Sequence, residues 1–300
     1  MARSRTETSP LVPAPAALAV VRDLVQLTKP RITLMVLVTA AGGMRLAPGH
    51  LALSTFAYTL LGMALIVSAA NSFNCWLERD LDRLMTRTRE RPLPAQRMEP
   101  RTAVWFGAAL AVLALPILWF GVNPLTALLG AGAFASYVAI YTPLKTLTPA
   151  ALLVGAVPGA LPPLMGWTAA TGSFGAPGLA VFGILFLWQL PHFIAIASFR
   201  REEYEAAGMR VLPAVRGDFV ARIHATFWAA LLVPVSVLPV WLGVAGWAYG
   251  AIALVSGVAF FAVTASGVRR NAAPAWARRV FVASLLYLPL VFAALMLNAR

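Results

Sequence analysis

The stretch LSTFAYTLLGMALIVSAANSFNCWLERDLDRLMTRTRERPLP, residues 53–94, decides the fold. Residues 53–77 carry no charged side chain, and Glu78, Arg79, Asp80, Asp82 and Arg83 then follow at once. A helix rising 1.5 Å per residue needs about 20 apolar residues to cross a hydrocarbon core some 30 Å thick, so residues 52–77 predict a transmembrane helix that ends on a polar edge. Eight further runs of comparable length lie at about 32–48, 103–121, 124–141, 149–168, 176–199, 221–244, 246–267 and 280–298. The predicted fold class is all-α, a polytopic membrane protein of about nine spans. A composition of 60% hydrophobic and 12% charged residues, with a mean hydropathy of +0.78, excludes a water-soluble domain. The first run follows Lys29-Pro30-Arg31 and lacks the small-residue cleavage site of a secretory signal, so it reads as a span. Residues 1–21, rich in Pro, Ala, Ser and Thr, read as a disordered tail, and residues 22–300 as one transmembrane domain.

The formal charge of +13 would suggest nucleic acid in a soluble chain. Here its placement points to topology, with no nucleic-acid partner. If the N-terminus is cytoplasmic, the N-terminal segment and the loops near 78–101, 142–148, 200–220 and 268–279 are inner, and every Lys and Arg except Arg45 and Arg300 lies in them or, for Arg222, at their edge. All 11 Asp and Glu lie on that same side, which the positive-inside rule does not require and which therefore calls for a function. The outer loops are short and nearly uncharged. The single cysteine, Cys75, excludes an internal disulfide, and no Cys/His spacing suggests zinc or an iron–sulfur cluster.

At the end of residues 52–77, continued as a helix, Asn71, Asn74, Glu78 and Asp82 fall within one narrow arc, whereas Asp80 points elsewhere. Oxygen-bearing side chains stacked at a bilayer edge repel one another unless a cation sits among them, and hard oxygen ligands suit Mg²⁺. Arg87, Arg89 and Arg91 follow closely, and arginine forks match phosphate oxygens. Carboxylates and arginines together fit a metal-bridged diphosphate better than either ion alone. An ordinary topological loop accounts for Arg79, Asp80 and Arg83; it does not account for Asn74, Glu78 and Asp82 in their register.

A second polar constellation ends residues 176–199: Trp188-Gln189-Leu190-Pro191-His192-Phe193, then Arg200-Arg201-Glu202-Glu203-Tyr204. If the helix runs on, His192 and Glu203 share a face about 16 Å apart, one deep and one at the edge. An intramembrane histidine can ligate, transfer a proton or pack. Residues 149–168 contain Pro158, Pro162 and Pro163 among glycines, a composition that bends a membrane helix and frees carbonyls where a cavity is lined.

At these residues the chain resembles the UbiA superfamily of intramembrane prenyltransferases, over about Leu27 to Pro213, and within it the branch that farnesylates haem. The motifs are Thr28-Lys29-Pro30-Arg31, Asn74-x3-Glu78-x3-Asp82, Arg87-Thr88 with Arg91-Pro92-Leu93, Tyr141-Thr142-Pro143-Leu144-Lys145, the Gly155–Trp167 segment with Pro162-Pro163-Leu164-Met165-Gly166-Trp167, Trp188-x2-Pro191-His192-Phe193, and Glu202-Glu203-Tyr204-x3-Gly208-x3-Leu212-Pro213. Two departures stand out. The superfamily's second acid motif has four-residue spacing, whereas here Glu202 and Glu203 are adjacent and Ser198 is the four-back residue; the haem branch generally has this arrangement. After Lys145 the chain reads Thr146-Leu147-Thr148-Pro149, where many relatives carry basic and amide groups.

The resemblance implies nine helices around a central cavity and farnesyl diphosphate held by Mg²⁺ between the two acid motifs. It implies haem B as acceptor, alkylated at its 2-vinyl group. The implied catalytic residues are Asn74, Glu78, Asp82, Lys145 and His192; Arg87, Arg91 and Lys145 hold diphosphate; Asn74, Glu78, Asp82, Glu202 and Glu203 are metal candidates; His192, Trp167 and Trp188 line a haem pocket. Membrane lipid surrounds the whole, and a haem A synthase or terminal-oxidase assembly factors are implied partners. The competing readings are a prenyltransferase with an aromatic quinone or chlorophyll precursor as acceptor, and an anion transporter, which would not need two acid motifs at one edge. A purely structural membrane subunit would leave the acids and His192 idle. A poor organelle-targeting N-terminus favours a bacterial inner membrane, with the N-terminus cytoplasmic.

Overall fold

A computed structural model describes residues 16–269 and 275–300. Among these the regular elements are all helices, apart from one isolated bridge between Ala245 and Ala299. In chain order the helices are α1 (Ala16–Leu27), α2 (Pro30–Arg45), α3 (Leu53–Leu77), α4 (Arg79–Arg83), α5 (Pro100–Gly121), α6 (Pro124–Ala135), α7 (Thr142–Leu144), α8 (Ala151–Thr171), α9 (Ala176–Phe199), α10 (Arg201–Ala206), α11 (Leu212–Arg216), α12 (Asp218–Trp241), α13 (Trp247–Ala265) and α14 (Trp276–Leu297). A π-helical turn, Ser136–Tyr141, joins α6 to α7, making one span of Pro124–Leu144. Eight spans are long and apolar enough to cross a membrane. Ala17–Leu27 with Pro30–Arg45, bent by 48°, makes a ninth if counted as one.

Proline opens several of these helices at its first or second position, where its missing N–H leaves no orphan: Pro30, Pro100, Pro124 and Pro177. Asn123 adds a cap, accepting from the Thr126 N–H at 2.9 Å. Sequence neighbours pack side by side from α2 round to α14, and α14 returns to touch α2, closing a ring. The main contacts that cross it are α2 on α8 and α9 on α14. The α2–α8 contact is backbone against backbone: a Cβ at Gly43 would lie 1.9 Å from the Pro163 carbonyl oxygen, and one at Gly166 2.0 Å from that of Ala40. Glycine is required at both positions for the approach.

Two expectations change. Residues 1–15 of the expected tail lie outside the described residues, but Ala16–Val21 begin α1, which Asp23 fastens to the loop after α4 by paired bonds from Arg97 at 3.1 Å. Its apolar side chains Leu18, Val20, Val21 and Val25 remain outward. The three prolines of α8 do not interrupt it: the helix runs from Ala151 to Thr171 with Pro158, Pro162 and Pro163 inside, and it is the most buried span. Neighbouring helices on both sides hold it in place, as membrane helices allow. An almost wholly apolar groove of about 550 Å³ opens between α13 and α14, lined by Val255, Phe260, Leu286 and Tyr287, away from the polar end described next.

Candidate active site

All the loops that carry acids meet at one end of the bundle. Apolar residues bring them together: Met85 packs with Ala207, Met209, Leu81, Tyr204 and Val211, so the segment after α4 lies against the segment around α10. The Arg210 N–H donates to the Lys145 carbonyl at 2.9 Å, tying in the loop after α7. Three loops distant in sequence thus form one surface.

Helix α3 does not continue through Asp82 as expected. It ends at Leu77, Glu78 takes φ −91° and ψ 3°, and α4 starts at Arg79. The N–H groups of Glu78 and Asp82 still bond back to the carbonyls of Asn74 and Glu78, at 2.9 and 2.7 Å. The break keeps these side chains inside rather than scattering them: Asn71, Asn74, Glu78 and Asp82 are all buried, whereas Asp80 is exposed and pairs with Arg79 and Arg83.

Three of these four buried groups each hold a cation. Lys29 Nζ donates to Asn74 Oδ1 at 2.7 Å, Lys145 Nζ to Glu78 Oε1 at 2.6 Å, and Arg91 Nη1 to Asp82 Oδ2 at 2.7 Å. Asn74 spends its amide on Thr142 Oγ1 at 3.2 Å, and Asn71 donates to the Thr28 carbonyl at 3.2 Å. The chain brings Arg91 back to Asp82 by folding residues 84–91 over α4, where the Thr88 hydroxyl donates to the Asp82 carbonyl at 2.9 Å. The π-helical turn has a similar role. Its extra residue per turn lets Thr142 Oγ1 bond the Tyr137 carbonyl at 2.8 Å and sets Lys145 4.4 Å over the Tyr141 ring.

The two lysines differ. Burial chiefly lowers the Lys29 pKa, with Arg91 and Lys145 adding like charge. At Lys145 burial pulls the same way, but Tyr141 and the Glu78 carboxylate outweigh it and raise its pKa. Lys29 also sits in the left-handed region at φ 48°, an uncommon conformation for a lysine, at the break between α1 and α2. No role follows for Lys29 from the sequence, although Thr28-Lys29-Pro30-Arg31 was a motif; the pattern identified the turn but not its partner.

In the second constellation the helix also breaks, at Arg200 with φ −113°, so His192 and Glu203 do not share one continuous face. Glu203 is half-buried. Its own burial would raise its pKa, but the 2.9 Å bond from Arg200, with Arg87 beside it, brings the carboxyl below the ordinary glutamate range. Glu202 is exposed and makes no side-chain hydrogen bond or ion pair among the described residues. Arg87 also donates to Tyr204 Oη at 3.3 Å and lies 5.7 Å over its ring. The geometry therefore separates the adjacent glutamates, with Glu203 facing the arginines.

Among the described residues no three His, Cys, Asp or Glu side chains converge closely enough to hold a metal ion. The expected five-ligand cluster is not closed, because Lys145, Arg91 and Arg200 occupy its carboxylates. The donor set still fits Mg²⁺ in kind: Asn74, Glu78 and Asp82 offer buried hard oxygens on successive turns, and Glu203 lies on the loop packed against them.

The expected haem pocket divides. Trp188 and His192 stack at 4.8 Å, and His192 Nδ1 lies 2.7 Å from Ser284 Oγ on α14. Trp167 is elsewhere. It lies near the far end of α8, its indole flat against Gly175 and Gly178 at the start of α9, with its Nε1 sealed and without a partner. The resemblance implied a shared pocket, but α8 and α9 are antiparallel neighbours, which places Trp167 beside the opposite end of α9.

Comparison with known proteins agrees with this arrangement. A family model described as the UbiA prenyltransferase family matches residues 36–286. A protein of Anaeromyxobacter sp. (strain Fw109-5) named protoheme IX farnesyltransferase is 52% identical over 286 residues, covering 95% of this chain and 96% of its own. One of Myxococcus xanthus (strain DK1622) with the same name is 53% identical over 279 residues, covering 93% and 95%. Among solved structures, a digeranylgeranylglyceryl phosphate synthase superposes with a TM-score of 0.80 at 18% identity, covering 93% of this chain and 98% of that one. A UbiA homologue from Archaeoglobus fulgidus bound to GPP and Mg²⁺ gives 0.68 at 19% identity, covering 91% and 99%. With its sequence matched along most of its length and its helices arranged as in these structures, the chain belongs to the UbiA prenyltransferase family.

Proposed function

We propose that this protein transfers the farnesyl group of farnesyl diphosphate to the 2-vinyl group of haem B, giving haem O and diphosphate. The observation that carries the reading is the interleaving at the charged end: Asn74, Glu78 and Asp82 each against a cation, in a chain over half identical to two protoheme IX farnesyltransferases along nearly all its length. This reading explains why the acids and the bases are both needed in one place. A magnesium diphosphate carries the complementary pair of charges, metal for the carboxylates and phosphate for Lys29, Lys145, Arg87 and Arg91.

Breaking the allylic C–O bond leaves the electron pair on the diphosphate and a positive charge on the farnesyl chain. Groups aimed at the leaving oxygens lower that barrier because their interaction grows as charge develops. Lys145 and Arg91 donate to those oxygens and Arg87 closes from the α10 side, while Glu78, Asp82 and Glu203 would hold the metal. Mg²⁺, when bound, neutralises the diphosphate and stabilises its release. The terminal vinyl carbon attacks the farnesyl C1, a C–C bond forms, and water adds to the vinyl carbon next to the porphyrin and loses a proton to give the hydroxyethyl group. The vinyl group is itself nucleophilic, so no strong base is required to activate it. Helices around the chain exclude bulk water until attack.

The positive-inside rule places the charged end, and with it the N-terminus, in the cytoplasm, and the inner membrane of a bacterium is the compartment we assign. Membranes containing the protein, incubated with haem B, farnesyl diphosphate and Mg²⁺, are expected to yield the hydroxyethylfarnesyl mass gain on haem by mass spectrometry, and Asp82→Ala membranes to yield none. Unmodified haem beside consumption of farnesyl diphosphate with an aromatic quinone precursor would overturn the acceptor.

A further inference from the structure

His192 is the one buried histidine of the three, since His50 and His224 are exposed. Its ring is held by aromatic neighbours and by a partner at Nδ1. Trp188, one turn back on α9, stacks on one face at 4.8 Å and 22°, Phe281 of α14 lies at 5.1 Å, and Phe193 meets it edge-on at 5.5 Å. Ser284 bonds α9 twice: its carbonyl accepts from Trp188 Nε1 at 2.8 Å, and its hydroxyl oxygen lies 2.7 Å from His192 Nδ1.

Hydrogen counting sets the tautomer. Ser284 Oγ also lies 2.5 Å from the Phe281 carbonyl oxygen, and two oxygens approach that closely only with a proton between them. The carbonyl has none to give, so the single serine proton lies there, and Ser284 Oγ can only accept from His192. The imidazole therefore carries its proton on Nδ1 and its lone pair on Nε2. That nitrogen makes no hydrogen bond among the described residues. It is not sealed in either, because Trp167 Nε1 is the one buried side-chain nitrogen or oxygen that lacks a partner among them. A neutral imidazole with Nδ1–H donated to a fixed acceptor and Nε2 open is the arrangement by which proteins prepare histidine to bind a metal.

We propose that Ser284 is a positioning residue for the acceptor, locking His192 so that Nε2 takes an axial position on the iron of the haem substrate. The inference rests on haem being the acceptor. Iron ligation from α9, deep to the carboxylates of the charged end, would hold the macrocycle while a vinyl edge reaches toward the farnesyl chain. Trp188 and Phe281 supply the flat apolar walls that keep the imidazole from turning.

The test is spectroscopic and separate from turnover. Purified protein is titrated with haem B, with Soret absorption giving the affinity and resonance Raman of the ferrous form giving the iron–histidine stretch. The wild type is expected to show that band, and His192→Ala to lose it and regain it with added imidazole. Ser284→Ala, which removes one oxygen and leaves the carbonyl for Trp188, is expected to shift the band and weaken haem binding by roughly 10- to 100-fold, the usual range for losing such an outer partner. Ser284→Thr, which keeps the hydroxyl, should restore both. An unchanged band and affinity in Ser284→Ala, with farnesylated haem still produced, would overturn this inference alone. A wild-type protein that bound no haem would overturn the reaction with it.

Discussion

The two acid-bearing turns at the charged end are built differently. On the α3–α4 side Asn74, Glu78 and Asp82 are buried, and each bonds a cation from another segment: Lys29 before α2, Lys145 after α7, Arg91 from the loop that folds back. On the α9–α10 side Glu202 is exposed, and Glu203 pairs with Arg200, three residues before it. Long-range pairs between buried groups require the whole bundle to be in place, whereas a local pair at a partly exposed turn does not. Under the proposed function, the first turn is a preformed half of the site, and the second is the half free to adjust around substrate.

The largest effects should fall on the preformed side. Asp82→Ala or Glu78→Gln is expected to lower kcat for haem farnesylation by at least about 10²–10³-fold, the scale of losing one preorganised electrostatic contact. Retention of more than a tenth of the activity would remove that side from the chemistry. The same pairing predicts a stability signature. Lys145→Met leaves Glu78 buried without its cation and should destabilise the protein by about 3–5 kcal/mol in thermal unfolding, and adding Glu78→Gln should return most of that. Additive losses would mean the two side chains do not depend on each other.

On the adjustable side, Glu203→Gln is expected to cost on the order of 10²-fold in kcat, and Glu202→Gln less than about threefold. Equal losses would break the assignment, which rests on Glu203 being held by Arg200 and Arg87 while Glu202 is exposed and bonds neither. Lys29 gives a smaller effect that depends on pH. Burial lowers its pKa, so its charge is present below that value and lost as pH rises through it, earlier than for an ordinary lysine. The kcat/KM for farnesyl diphosphate should therefore fall on an alkaline limb below about 10.4, and Lys29→Arg should move that limb upward. The smallest effect is expected at Trp167, away from both turns: Trp167→Phe should leave product formation within about twofold, because its sealed indole N–H bonds nothing.

The spans were legible because each is a long apolar run bounded by charge or proline, and the structure's limits fall within a few residues of those read from the sequence. Asn74, Glu78 and Asp82 were legible as a group by their spacing, though for an incomplete reason: the helix breaks at Glu78, and burial rather than a straight helical face holds them together. Periodicity cannot register a single residue at φ −91° and ψ 3° in an otherwise helical stretch. The cation partners were hidden for a different reason. Lys29, Lys145 and Arg91 come from three loops, and the π-helical turn that places Thr142 and Lys145 has no signature in side-chain pattern. Ser284 was hidden twice over, as a serine in an apolar helix 92 residues from its partner. Trp167 was grouped with Trp188 and His192 by resemblance alone; two separate motifs on antiparallel neighbours α8 and α9 carry no signal of which end of α9 each one meets.

The central claim is that the acids and cations of the charged end divide a magnesium diphosphate between them. Calorimetric titration of the purified protein with farnesyl diphosphate, with Mg²⁺ and with chelator, beside Asp82→Asn, measures it most directly. The account predicts tight binding only when Mg²⁺ is present, and a loss of that dependence in Asp82→Asn; equal binding with chelator, or an unaltered Mg²⁺ dependence in the variant, would contradict it.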